Sequence, residues 1–217
     1  MRIAYLVLTD VSYEHGFLKK IGAQIRTWKE HGCEVKMFIV QESDKIWSGI
    51  KDIETELVPI DMGNIKRSDY LSYKNDLAKV IESWSPDLVY TRFGLKTQLY
   101  LFWRKTMANI PTIFEVNTDD LAEYKLLKRG RRLKNIYLFA GAHYLKWSLT
   151  RRAKGFVFVT NELSKACRSK VPKTVIANGI DLEKYPITAP PNNDRPFILF
   201  VGTPGQPWHG LEKVMEL

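Results

Sequence analysis

The sequence predicts an α/β protein built on an open, doubly wound parallel sheet. Three observations predict it. Seven short apolar runs of strand length alternate along the chain with helical stripes, the pattern of βαβ units laid side by side. The first run is nearly continuous in branched and aromatic residues rather than alternating with polar ones, as a strand covered on both faces is. The first run, its helix and the second run complete one βαβ unit, whose crossover is right-handed.

Arg2 to Leu8 is the first strand. It ends at Thr9-Asp10, and a loop through Val11 to Gly16 leads into a helix with Ile21, Ile25 and Trp28 on one stripe. His31-Gly32 stops that helix, and Val35 to Val40 is the second strand. Gln41 to Asp52 is polar and punctuated, and Thr55 to Ile60 is the third strand. Leu71 to Trp84 carries Leu77, Ala78, Ile81 and Trp84 at helical spacing and stops at Ser85-Pro86. Asp87 to Tyr90 is the fourth strand, Leu95 to Met107 a helix, and Pro111 to Val116 the fifth strand. Leu121 to Arg152 is mostly helical in pattern, Gly155 to Val159 is the sixth strand, and Glu162 to Arg168 is a short helix. Thr174 to Ala177 is the seventh strand, read as buried; it halts at Asn178-Gly179, a pair that tolerates the change of direction.

The chain then changes in kind. Tyr185 to Arg195 holds Pro186, Pro190 and Pro191 beside Asn192-Asn193-Asp194, the composition of an exposed linker. Phe197 to Val201 is a strand again, followed by a Gly- and Pro-rich loop and a helix from His209. Such a unit has no sheet to join. The expected organisation is therefore a first domain over 1–184, a linker over 185–196, and over 197–217 the opening strand, loop and helix of a second domain cut off near its beginning.

Composition narrows the function classes. The apolar content of 45% and charged content of 26% suit a globular protein. The N-terminal apolar run is too short for a signal peptide, and no segment approaches the length needed to cross a bilayer, so a cytoplasmic protein is expected. Cys33 and Cys167 stand apart, without metal or redox spacing, as in a reducing compartment. Of the net charge of +9, ten cations lie between Lys125 and Lys154 with no acidic residue among them, which leaves the rest of the chain at −1. A nucleic-acid partner is disfavoured, since the cations occupy one segment and no known binding motif accompanies them.

Chemistry has to be sought in the loops beyond the carboxyl ends of the strands, where ligands of such sheets bind. His15-Gly16 precedes a helix start carrying Lys19 and Lys20, a place where backbone N–H groups and an ammonium could hold an anion. Arg92 and Gly94 follow the fourth strand; Glu115, Asn117, Asp119 and Asp120 close the fifth, with Asp119 and Asp120 suited to capping. Gly202 to Gly210 occupies the position of a second phosphate loop. There is no G-x-G-x-x-G, Walker loop, nucleophile elbow or metal-spaced His cluster, so neither a metal nor a resident cofactor is expected.

The order and spacing of several of these segments resemble the N-terminal domain of family-4 glycosyltransferases, retaining enzymes of the GT-B fold that use nucleotide sugars. The segments are Gly16 with Lys19-Lys20-Ile21; His31-Gly32-Cys33-Glu34-Val35; Ser85-Pro86-Asp87-Leu88-Val89-Tyr90; Pro111 to Asn117; Gly155 to Thr160; Val175 to Asp181, with Ala177 in place of a Pro; and Phe200-Val201-Gly202 with Trp208-His209-Gly210. The resemblance covers essentially the whole chain. It implies two Rossmann-like domains facing each other across a cleft, the first on the acceptor side and the second, truncated here, on the donor side. It further implies that Gly16 and Lys20 face the donor, that Glu115 and Asn117 face the cleft in catalytic positions, and that Arg92, Asn178, Gly179, Asp181, Gly202, His209 and Gly210 bind donor or acceptor. The co-substrate would be a nucleotide sugar, and the acceptor a glycan or a lipid-linked molecule. Thr203 and His209 stand where common members place Arg and Lys, so a weaker, pH-dependent grip on the pyrophosphate is expected. The family's paired donor-holding glutamates would lie beyond residue 217, so the chain alone is expected to have little or no activity.

The basic segment mixes its cations with Leu133, Ile136, Tyr137, Phe139, Tyr144, Leu145 and Trp147. Two readings are open and compatible: an apolar middle packed as core with solvated charges at its ends, or a face of Lys128, Arg129, Arg131, Arg132 and Trp147 pressed on an anionic membrane. On the second reading the protein is peripheral on the inner face of the membrane. Rival functions are a non-catalytic module that binds an acceptor or partner chain, and a sugar-nucleotide epimerase of the same fold.

Overall fold

The computed structural model describes residues 1–41, 43–59, 77–94, 110–119, 122, 140, 143–144, 146–148, 150–180, 182–183, 185–187 and 211–215. Seven strands form one parallel sheet: β1 (Arg2–Val7), β2 (Glu34–Gln41), β3 (Thr55–Pro59), β4 (Leu88–Arg92), β5 (Thr112–Val116), β6 (Gly155–Phe158) and β7 (Lys173–Val175). Their order is β3-β2-β1-β4-β5-β6-β7. The helices are α1 (Gly16–Glu30), α2 over residues 77–83, α3 over 146–148 and 150–152, α4 (Asn161–Ala166) and α5 (Leu211–Met215). The doubly wound sheet predicted from the sequence is the one found.

Two apolar layers sandwich the sheet because successive strand residues point to opposite faces. On one face Ile3, Tyr5 and Val7 of β1 and Val35, Met37 and Ile39 of β2 meet Leu18, Ile21 and Ile25 of α1. On the other, Ala4 and Leu6 join Phe38, Val89, Phe114, Phe156 and Phe158 against Leu77, Ala78 and Ile81 of α2. The strand order reverses beside β1, with β2 and β3 on one side and β4 to β7 on the other. A sheet wound this way leaves a crevice beyond the carboxyl ends of β1 and β4.

The ends of α1 follow from local chemistry. The Nδ1 of His15 accepts from the Leu18 N–H at 3.2 Å and Nε2 lies 3.0 Å from the Asp10 carbonyl, so the ring caps the helix. Past the helix, Gly32 takes φ 78°, a left-handed conformation that glycine adopts without a Cβ penalty.

Several boundaries differ from the expected ones by one or two residues. β4 runs two residues further than Tyr90, which makes Arg92 its last residue rather than a loop residue. α4 begins at Asn161, one residue early, where the Thr160 hydroxyl accepts from the Leu163 N–H at 3.3 Å. The seventh strand, expected to be buried over Thr174–Ala177, is a three-residue edge strand, Lys173–Val175, exposed at every position. The helix expected over Leu95–Met107, most of Leu121–Arg152, most of the linker and the strand over Phe197–Val201 lie outside the described residues.

Candidate functional site

Strand alternation decides which side chains meet at the carboxyl end of β5. Phe114 faces α2, so its neighbour Glu115 faces α1, on the side of Tyr5 from β1 and Tyr90 from β4. On α1, Ile21 and Ile25 lie on the sheet, which carries Lys20 and Gln24, one turn apart, over the same strand ends. Polar side chains from three strands and one helix therefore converge beside the β1/β4 crevice.

Glu115 is the centre of that cluster, and its carboxylate is 2% exposed. One oxygen, Oε1, accepts from Lys20 Nζ at 2.8 Å and from Asn117 Nδ2 at 2.8 Å. The other, Oε2, accepts from Gln24 Nε2 at 2.9 Å and from the Tyr90 hydroxyl at 2.8 Å. Gln24 is itself oriented by the Tyr5 hydroxyl, which donates to its Oε1 at 2.8 Å. Burial alone would raise the Glu115 pKa. The bonds from Lys20, Gln24, Asn117 and Tyr90 overcome it and hold the carboxyl below the ordinary glutamate range. All four neighbours donate to the carboxylate, which favours its ionised form. The same burial and the nearby carboxylate push the Tyr5 and Tyr90 hydroxyls up, so both stay protonated as donors.

The loop beyond β1 forms the rim. Buried Gln41 braces it: Oε1 accepts from the Val11 N–H at 2.8 Å, while Nε2 donates to the carbonyls of Ser43 and Lys45 at 2.6 and 2.8 Å. His15 stacks on Phe17 with rings 6.0 Å apart, and the Arg92 guanidinium lies over the other ring's centroid at 4.7 Å. Gly16 stands between them, and a Cβ placed there would meet no atom within 4 Å.

Residues 23–184 match the sequence pattern of Glycosyltransferase Family 4. The chain belongs to this family. Among curated proteins none matches it in sequence. Solved structures resemble it in fold. The lipopolysaccharide outer core galactosyltransferase WaaB, in its apo form, superposes with a TM-score of 0.61 at 17% identity, over 90% of this chain and 50% of that one. Sucrose-phosphate synthase from Thermosynechococcus elongatus gives 0.50 at 12%, over 85% and 93%. Phytolacca americana UGT2, complexed with UDP-2fluoro-glucose and pterostilbene, gives 0.55 at 10%, over 83% and 54%. This family-4 chain spans about half the length of the galactosyltransferase and of UGT2.

Of the residues singled out in the sequence, the structure brings Lys20, Glu115, Asn117 and Asn178 into one cluster, since Lys20 Nζ also donates to Asn178 Oδ1 at 2.7 Å. Glu115 lies beneath the crevice surface instead of facing it. Arg92 lies over the ring of Phe17, the residue after Gly16, and Gly179 is exposed beside Asn178. Lys19 pairs with Glu14. Asp119 accepts from the Ala122 N–H at 3.4 Å, the capping geometry expected of it. Asp181, Gly202, His209, Gly210, Lys128, Arg129, Arg131 and Arg132 lie outside the described residues. Trp147 and Tyr144 are 51% and 56% exposed, stacked at 5.7 Å, with the Arg151 guanidinium 4.2 Å from the Trp147 ring centroid.

Sequence reasoning missed Gln24, Tyr5, Tyr90 and Gln41. Gln24 had a legible signal: a polar residue four positions after Lys20, flanking the buried stripe of α1. The tyrosines read as ordinary strand residues, and only the register shows that their hydroxyls reach a shared carboxylate.

Proposed function

We propose that residues 1–184 form the acceptor-side domain of a retaining glycosyltransferase, joined by a linker over 185–196 to a donor-binding domain that opens at 197. The family match over 23–184 carries this reading, because it takes in β2 to β7 and stops where the linker was placed from composition. The donor is a nucleotide sugar, as UGT2 holds in its complex, and the acceptor is a glycan or lipid-linked molecule of polysaccharide or glycolipid synthesis. Transfer breaks the bond between the sugar C1 and the diphosphate oxygen and forms one from C1 to an acceptor hydroxyl oxygen, whose proton departs. In this reading Gly16 and Arg92 line the rim for donor or acceptor; Asn178, Gly179 and Asp181 border the cleft; Gly202, His209 and Gly210 approach the donor phosphates. Asn117 stands nearest the substrate, and Glu115 serves by holding Lys20. No resident cofactor is needed.

The test is to extend the chain with its natural continuation and screen nucleotide sugars by thermal shift. A selective rise in Tm with one donor is expected, together with turnover absent from the 217-residue chain. Comparable turnover by the 217-residue chain would remove the assignment of the donor side to the later residues; no donor shifting the extended protein would remove the transferase reading.

The exposed Tyr144–Trp147 stack, in a segment of ten cations, favours a second element: this face seats on anionic lipid at the cytoplasmic side of a membrane, each cation adding about 1 kcal/mol. Among the described residues no helix is long and apolar enough to cross a membrane. Sedimentation with vesicles should require anionic lipid and weaken in high salt; binding indifferent to both would refute it.

A further inference from the structure

We propose that Lys20 is a clasp. Through one ammonium it ties the Asn178-Gly179 turn, where the chain leaves the sheet, to α1 and the end of β5. An ammonium has three N–H bonds, and three side-chain oxygens surround this one: Glu115 Oε1 at 2.8 Å, Asn117 Oδ1 at 3.2 Å and Asn178 Oδ1 at 2.7 Å. The first two are fixed independently of the turn, since Asn117 Nδ2 bonds Glu115 and Gln24 and Tyr90 hold the carboxylate from behind. The ammonium is therefore aimed before Asn178 arrives. Lys20 itself is 27% exposed, on the solvent side of the buried Glu115.

The turn has little else to hold it. The last ladder bond at this edge runs from the Ile176 N–H to the Phe158 carbonyl at 2.8 Å. Residues 177–180 beyond it are exposed, and the bond to Lys20 is the one side-chain hydrogen bond they make to another described residue. Bonds with an ionised donor are roughly twice as strong as neutral ones, so one such contact can fix a segment that buries no apolar surface. The clasp rests on this geometry and does not depend on what occupies the crevice.

Amide hydrogen exchange on the full 217-residue chain tests it. Asn178→Ala should speed exchange of the Ile176 amide about tenfold, while the Met37 amide, bonded to the Glu54 carbonyl at 2.9 Å across the sheet, keeps its rate. Lys20→Met should expose Ile176 in the same way. Adding Asn178→Ala to Lys20→Met should then change nothing more, because the partner is already gone. Unchanged Ile176 protection in Asn178→Ala overturns the proposal. So does an Asn178→Ala effect that persists in full in the Lys20→Met background, which would make Asn178 only a turn former. If Lys20→Met does not fold, Lys20→Met combined with Glu115→Gln removes both charges and supplies the background, with the same two outcomes.

Discussion

Around β1, β4 and β5 every strand is covered on both faces, and the polar groups at the strand ends are joined in one network centred on Glu115. At the β7 edge the strand is three exposed residues long, and Val175, Ile176, Ile180, Leu182, Tyr185 and Ile187 show apolar side chains to solvent. The same backbone architecture is thus held by burial in one place and by ladder bonds and one ammonium in the other. Stability is correspondingly uneven, and the edge beside the crevice belongs to the part that opens most readily.

The largest effect should come from the covered region. Phe114 is buried among Phe93, Phe156 and the α2 side chains, so Phe114→Ala should cost about 3–5 kcal/mol through the cavity it leaves. At the edge, Val175→Ala should stay within about 0.5 kcal/mol. Urea unfolding of the two variants measures both, and similar losses would erase the distinction between the regions.

Next comes the network. Lys20→Met leaves the Glu115 carboxylate buried without its cation and should cost about 3 kcal/mol. The pH dependence has a definite sign. The folded Glu115 pKa lies below its unfolded value, so its stabilisation is complete above the ordinary glutamate range and is lost as pH falls from there through the lowered folded value. Glu115→Gln should flatten that acid limb of the stability profile. A profile identical to that of the unmodified chain would mean that Glu115 does not titrate with folding.

How much of this was legible beforehand follows from what each level of sequence pattern encodes. Strand and helix periodicity located the sheet, because burial on two faces writes itself into continuous apolar runs such as Ile3–Val7. β7 misled for the same reason: Thr174 to Ala177 reads as a buried strand, but the strand found there is exposed, and an apolar run does not report whether anything covers its faces. In the site, Lys20, Glu115, Asn117 and Asn178 were each singled out separately. Their convergence depends on register, Arg92 opposite Glu115 and Tyr5 opposite Tyr90, and on α1 lying over those strands. Neither is visible in a linear pattern.

A smaller effect probes the rim without touching the network. His15→Ala removes the acceptor for the Leu18 N–H and should cost about 1 kcal/mol, with His15→Asn recovering most of it. Equal losses for both would show that the ring's stacking on Phe17, rather than the cap, holds the loop.

The smallest change in stability, and the most informative for function, belongs to Gly16. Its backbone lies outside the left-handed region and a Cβ there would stand in open space, so the fold itself has no need of glycine at this first helical position. Gly16→Ala should therefore raise Tm slightly, by about 2 °C, through the lower entropy of the unfolded chain. If the space above Gly16 is kept for a ligand, as the transferase reading holds, the same methyl group should weaken nucleotide-sugar or acceptor binding in the extended protein while the folded state gains stability. A variant more stable and equally able to bind would show that the glycine is incidental, and would shift the ligand toward Arg92 and the Asn178-Gly179 side of the crevice.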